Sequence, residues 1–279
     1  MKRHLLSVLI ALFLVAGIAL LLYPTIGEYI NSKHATKVIT EYHEAYVNTE
    51  EDKIEELIRQ AEAFNNLLKG SPSDNYDTDV IKGYNDILNM NGSGIMGYID
   101  IDKIGVELPI YHGVSKEVLQ VGVGHLEGSS FPVGGEGTHC VLSGHRGLPS
   151  AKLFTDLDKL ETGDRFTITV LDRVMTYEVD QIKVVLPENS SYLHIEDDKD
   201  YCTLVTCTPY GINTHRLLVR GVRVDDGAKK PGIFVSNEAF RISTIIVASF
   251  IELPMILLVV TVVIIIVVRR TKRHETDRS

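Results

Sequence analysis

RFTITVLDRVMTYEVDQIKVV, Arg165 to Val185, decides the fold class. Phe166, Ile168 and Val170 alternate with polar residues, and after a turn at Asp172–Arg173 so do Met175, Tyr177 and Val179. A period of two is the mark of half-buried strands, so the stretch is a β-hairpin. Similar runs lie on either side. Tyr201–Cys207 and His215–Val224 follow it; Tyr98–Ile101, Val106–Tyr111 and Thr138–Leu142 precede it. Seven strands at short intervals predict an all-β barrel or sandwich. No internal repeat is visible.

Upstream the period changes. Val38, Tyr42, Ala45 and Tyr46, then Ile54, Leu57, Ile58, Ala61, Phe64 and Leu68, recur at three- and four-residue spacing. That predicts helix from about 31 to 68. Acidic residues crowd the start of its second run, as the helix dipole favours. KGSPSDNYDT (69–78) is a loop by composition, and a short helix is expected over 79–89.

Two apolar blocks lie further out. Leu5–Leu22 carries no charge and follows Lys2 and Arg3. It is long enough to cross a bilayer, longer than a usual signal-peptide core, and lacks a clear cleavage site, so an uncleaved anchor is expected. The second block, about 242–268, is followed by Arg269, Arg270, Lys272 and Arg273. Counting back from Val268 puts its outer end near Ser249, with Glu252 within reach of water. Basic residues on both terminal sides place both termini in the cytoplasm and the middle region outside. The net charge is −9, and the two tails hold seven Lys or Arg against Glu275 and Asp277. The middle region is therefore acidic, roughly −14, which argues against nucleic acid as a partner.

The chain has three cysteines, Cys140, Cys202 and Cys207, so at least one is a free thiol. Cys207 ends a β-type segment, Pro209 and Gly211 break the ladder, and a new segment opens with His215 and Arg216. If the two pair, Arg216 returns near the thiol. His145 lies where a strand gives way to a glycine-flanked loop, SGHRGLP (143–149). A thiolate nucleophile, a histidine to move protons and an arginine to hold an oxyanion or the substrate backbone together suit acyl transfer. His215 should face away from Arg216, because strand neighbours alternate. By the same parity Cys202 points away from Cys207 into the core, and a Cys140–Cys202 disulfide is a minor alternative. Thr206 either shapes the site or packs in the sheet, and His112 and His125 are expected to be structural. No spacing suggests zinc or calcium, and no cofactor is expected.

TLVTCTPYGINTHR (203–216) resembles the sortase signature of TLxTC followed by an arginine strand. SGHRGLP resembles the sortase catalytic-histidine segment. GIMGYIDI (94–101), LPIYHG (108–113) and GHLEGSSFPVGG (124–135) resemble class C, pilin-polymerising, sortases. The resemblance covers about 95–224. It implies a closed eight-stranded β-barrel and catalytic roles for Cys207, His145 and Arg216. It also implies a thioacyl intermediate with an LPxTG-like sorting signal, resolved by a pilin lysine amine. Many class C sortases carry an Asp-Pro-aromatic lid. That tripeptide is missing; Asp74-Asn75-Tyr76 stands nearest, with Pro72 displaced, so Asp74 and Tyr76 are candidate lid residues and a plain loop is the alternative.

The expected layout is a start and membrane anchor (1–30), a helical extension with its loop (31–94), the catalytic barrel (95–226), a linker or interfacial segment (227–248), and a transmembrane helix with a basic tail (249–279). The expected setting is a Gram-positive cell membrane with the barrel outside. The expected partners are a pilin or surface protein bearing the sorting signal and an amine acceptor. Attachment of surface proteins to the cell-wall peptide is the nearest alternative, followed by a non-catalytic scaffold or adhesin and by a cysteine protease.

Overall fold

The computed structural model describes residues 2–69 and 83–225. The candidate lid residues Asp74 and Tyr76, the linker and the second apolar block lie outside the described residues.

Helix α1 (Lys2–Val47) opens the chain. Its part from Leu12 is long and apolar enough to cross a membrane, and the most apolar stretch is not buried against protein. The chain divides into two compact units, and Ile30–Ser236 forms one of them. Within it, α1 ends at Val47 and α2 (Glu51–Leu68) begins three residues later. The break is held by side chains that return to the end of α1: Asn48 Nδ2 donates to Glu44 O and Thr49 Oγ1 to Ala45 O. The helix expected over 31–68 is thus two helices. Of the helix expected over 79–89, residues 83–88 form successive turns, and 79–82 lie outside the described residues.

Eight strands follow: β1 (Ile95–Ile101), β2 (Val106–His112), β3 (Val123–His125), β4 (Thr138–Ser143), β5 (Arg165–Val170), β6 (Arg173–Val185), β7 (Asp200–Thr208) and β8 (His215–Val224). They close in the order β1-β2-β3-β4-β7-β8-β6-β5. A closed ring leaves no edge with unpaired backbone groups. The hairpin that opened the sequence reading is β5–β6. Its alternating set, Phe166, Ile168, Val170, Met175, Tyr177 and Val179, is buried in the core. The strand that the sequence did not reveal is β3, only three residues long. It pairs in parallel with β2, and the crossover this requires contains helix α3 (Lys116–Val121), capped by Ser115.

The second parallel pair is β4–β7, in which Cys140 is the register partner of Cys202. All three cysteines are free thiols, Cys140 and Cys202 buried and Cys207 half-buried, so the minor alternative of a disulfide does not hold. Side chains of registered neighbours stand side by side, whereas a disulfide needs a dihedral of about 85–100° between its two arms.

Candidate active site

The β7–β8 hairpin sets Cys207 directly opposite Arg216. Directly opposed residues share a face of the sheet, so thiol and guanidinium side chains emerge together. That face is the outer one. Cys202, Leu204 and Thr206 point into the barrel and are buried, and the odd-numbered residues of β7 point the other way. His215 opposes Thr208 and so lies on the face away from Arg216. The turn between the strands is closed by the Ile212 and Asn213 amides, which both donate to Pro209 O at 3.1 and 3.0 Å.

His145 arrives from β4. The parallel register matches Ser143 with Val205, and the ladder continues one step further, with the Gly144 amide donating to Val205 O at 3.0 Å. Two residues past Ser143 comes His145; two past Val205 comes Cys207. His145 therefore stands in the loop just past the end of β4, at the same end of the paired strands as Cys207 near the end of β7. The loop is fixed from its other side as well: the Phe154 amide donates to His145 O, and the Gly147 amide to Thr155 Oγ1. Gly144 lets the Phe154 ring approach where any Cβ would meet it at 2.6 Å. Gly147 has a positive φ of 79°, in the left-handed region that glycine favours. Partial burial lowers the His145 pKa from its ordinary value. Arg216 spends one nitrogen on its own strand, Nη1 donating to His215 O and Asn213 O at 3.1 and 3.3 Å. Its Nε and Nη2 have no hydrogen-bond partner among the described residues and can serve a substrate. Cys207, His145 and Arg216 thus lie at one end of the β4, β7 and β8 strands, and a thiol, an imidazole and fixed donors are the groups that acyl transfer can use.

The sortase domain family model matches residues 99–224. Sortase C1 of Streptococcus agalactiae is 48% identical, with a TM-score of 0.66 over 68% of this chain and 100% of that one. Sortase C of Streptococcus pneumoniae is 45% identical, with a TM-score of 0.63 over 71% of this chain and all of that one. Among curated relatives, sortase D of Bacillus subtilis is 34% identical over 131 residues, 46% of this chain. The match spans 63% of that relative's length, less than two thirds of it. The chain belongs to the sortase family. Within the family it is most like the class C enzymes.

Other residues of this sortase sort themselves around that edge. Thr206 is buried on the interior side and donates to Gly144 O at 2.8 Å, so it acts on the His145 loop and not on the thiol directly. His125 is fully buried between Tyr84 and the carbonyl of Ser130, and both ring nitrogens of His112 meet backbone oxygens. Both are structural, as their sequence setting suggested. The sequence reading did not single out His139 or Arg146. His139 lies under the 186–199 connection: its Nδ1 donates to His194 O at 2.8 Å and its Nε2 accepts from Thr203 Oγ1 at 2.7 Å. A carbonyl can only accept, which fixes the tautomer. Burial pushes its pKa down to about 4. Arg220 adds to the seam, with a two-pronged contact to Asp180 and its guanidinium 4.0 Å from the Tyr201 ring centre. No sequence signal distinguishes such a histidine from any other in a strand. Among the described residues no group of three or more His, Cys, Asp or Glu could hold a metal.

Proposed function

We propose that this sortase cleaves an LPxTG-like sorting signal between Thr and Gly and transfers the acyl group to a pilin lysine amine. The observation that supports the proposal is the Cys207–Arg216 register pair, with the His145 loop leaving the neighbouring strand at the same end. Cys207 gives its proton to His145 and its sulfur attacks the threonine carbonyl carbon. Arg216 holds the carbonyl oxygen as it gains charge, or the neighbouring substrate backbone. His145 gives a proton to the leaving glycine nitrogen, and the C–N bond breaks to leave a thioester on Cys207. The lysine amine then attacks that thioester, His145 takes up its proton, the C–S bond breaks, and the leaving sulfur of Cys207 recovers that proton from His145. Pilin as the acceptor is supported by the likeness to class C enzymes, among them the pneumococcal sortase C with its pilin substrate specificity.

We place the barrel outside the membrane, with the N-terminal helix as anchor and both termini cytoplasmic, on the strength of the apolar α1 and the flanking basic residues. The test incubates the chain with pilins bearing the sorting signal and maps new bonds by mass spectrometry. An acyl-Cys207 adduct and a threonyl–lysine isopeptide are expected, and both should vanish in Cys207→Ala while the barrel still folds. A product joined to water alone would make the chain a protease. Joining to a cell-wall peptide amine would favour the anchoring role, to which the missing Asp-Pro-aromatic lid sequence also points.

A further inference from the structure

The residues that flank His145 grip the residues that flank Cys207. On one side Thr206 Oγ1 donates to Gly144 O at 2.8 Å. On the other Arg146 Nη1 donates to Thr208 Oγ1 at 3.2 Å. The two bonds, 144 to 206 and 146 to 208, bracket the pair 145 and 207. Arg146 is itself held: Nη2 contacts Asp158 Oδ2 at 2.5 Å, in the short turn Leu157–Lys159 of the β4–β5 connection. Its side chain is only 10% exposed, against 46% for Asp158. Its Nε is buried with no partner. A buried unpaired N–H costs stability, so Arg146 is held where it is by its two other contacts. A guanidinium reaches two partners in fixed directions from a rigid plane; a lysine ammonium on a flexible stem would hold them less rigidly.

The geometry assigns Arg146 as a positioning residue that fixes the imidazole of His145 against the thiol of Cys207, with Thr208 and Asp158 as its two anchors. This rests on the reading of Cys207 as nucleophile and His145 as proton carrier. Arg146 touches neither substrate nor reacting atoms. Without Arg146 the His145 loop keeps its bonds through Gly144, the Phe154 amide and the Gly147 amide but loses its direct tie to Thr208 beside Cys207, so the imidazole shifts relative to the sulfur. Proton transfer depends on that separation, and a misplacement of about 1 Å costs on the order of 100-fold in rate.

The test compares Arg146→Gln, Arg146→Lys, Thr208→Val and Asp158→Asn in the full chain, each normalised to the amount of Cys207 that a thiol-alkylating probe can titrate. Per titrated site, kcat for transfer from a sorting-signal peptide should fall about 100-fold in Arg146→Gln, with KM nearly unchanged. Arg146→Lys should recover only part of that loss. Thr208→Val and Asp158→Asn should each fall less than Arg146→Gln, and they carry the test if Arg146→Gln does not fold. A merely structural role would lower the titratable fraction and leave kcat per site at the wild-type value, and that result would overturn the assignment. Transfer by Cys207→Ala would instead overturn the underlying reading of the site, so the two failures can be told apart.

Discussion

Arg216 comes to the thiol by strand parity: opposed residues share a face, and the sequence spacing between Cys207 and Arg216 already allows a hairpin of that register. The guanidinium has two nitrogens left for substrate after Nη1 is taken by backbone carbonyls. Arg216→Lys keeps the charge but loses the planar fork, so kcat should drop about 100-fold while the peptide still binds. A variant within twofold of wild type would show that charge alone suffices. His145 offers a second residue-level test. Burial disfavours its imidazolium, so its NMR titration midpoint should lie below the ordinary 6.5 and its neutral form should persist into mildly acidic solution. A midpoint above 6.5 would require an anionic partner at the ring. The Cys207–Arg216 pairing was legible because strand ends and parity can be read from residue types. Arg146 was not, because nothing in SGHRGLP says whether the arginine faces water or the loop beneath it.

The connection between β6 and β7, residues 186–199, is fastened at His194 by His139 and at Glu196 by Arg220. His139 makes that fastening sensitive to acid. In the unfolded chain a histidine binds its proton below about 6.5; in the fold His139 resists until about 4. Between those values the unfolded state holds more protons, so stability falls as the pH falls through that window. The groups around the ring are Arg220, whose charge adds to the penalty, and Glu196 and Asp180, which oppose it. The full loss is on the order of 3 kcal/mol, reached below pH 4. Chemical denaturation of wild type and His139→Gln at pH 7, 5.5 and 4 should show the difference between them shrinking as the pH drops. Parallel pH profiles would mean that His139 does not titrate in this window. At this scale the long strands were legible and the short elements were not. β3 is three residues, below the length at which alternation shows, and α3 is six, with no buried face to give it a period. The bulge at Val179/Gln181, where β6 slips against β8, leaves no mark in composition.

Across the whole folded unit, the helical extension and the barrel share one core. Two helix residues, Tyr42 and Asn65, make four buried hydrogen bonds to the barrel, and a ring contact adds to them. Tyr42 Oη donates to Met96 O and accepts from the Leu171 amide, at 3.0 and 2.9 Å. Asn65 accepts from the Phe131 amide at 2.7 Å and donates to its carbonyl at 3.1 Å, taking the place of a strand. Phe64 meets the Phe131 ring edge-on at 4.9 Å. The apolar stripe on α2 announced that it would be buried but not against what, because periodicity names a face and not its partner. Asn65 had no signal at all: a polar residue on an apolar stripe is as easily an exposed flaw. Replacing it with Ala would leave the buried Phe131 amide unpaired and its carbonyl with the Val133 amide alone, at a cost of about 2 kcal/mol. Urea unfolding of residues 30–225 should show that loss in the midpoint with little change in slope. A fragment beginning at Ile95 should go further, exposing Phe131 and the backbone groups of Met96 and Leu171 that Tyr42 covers, and should bind a hydrophobic dye or aggregate where residues 30–225 stay monomeric. If the shorter fragment matched the longer in melting temperature and solubility, the extension would be an appendage to a barrel that folds alone. The paired hydrogen bonds of Asn65 and the doubly engaged Tyr42 hydroxyl argue that it is a wall of the same fold.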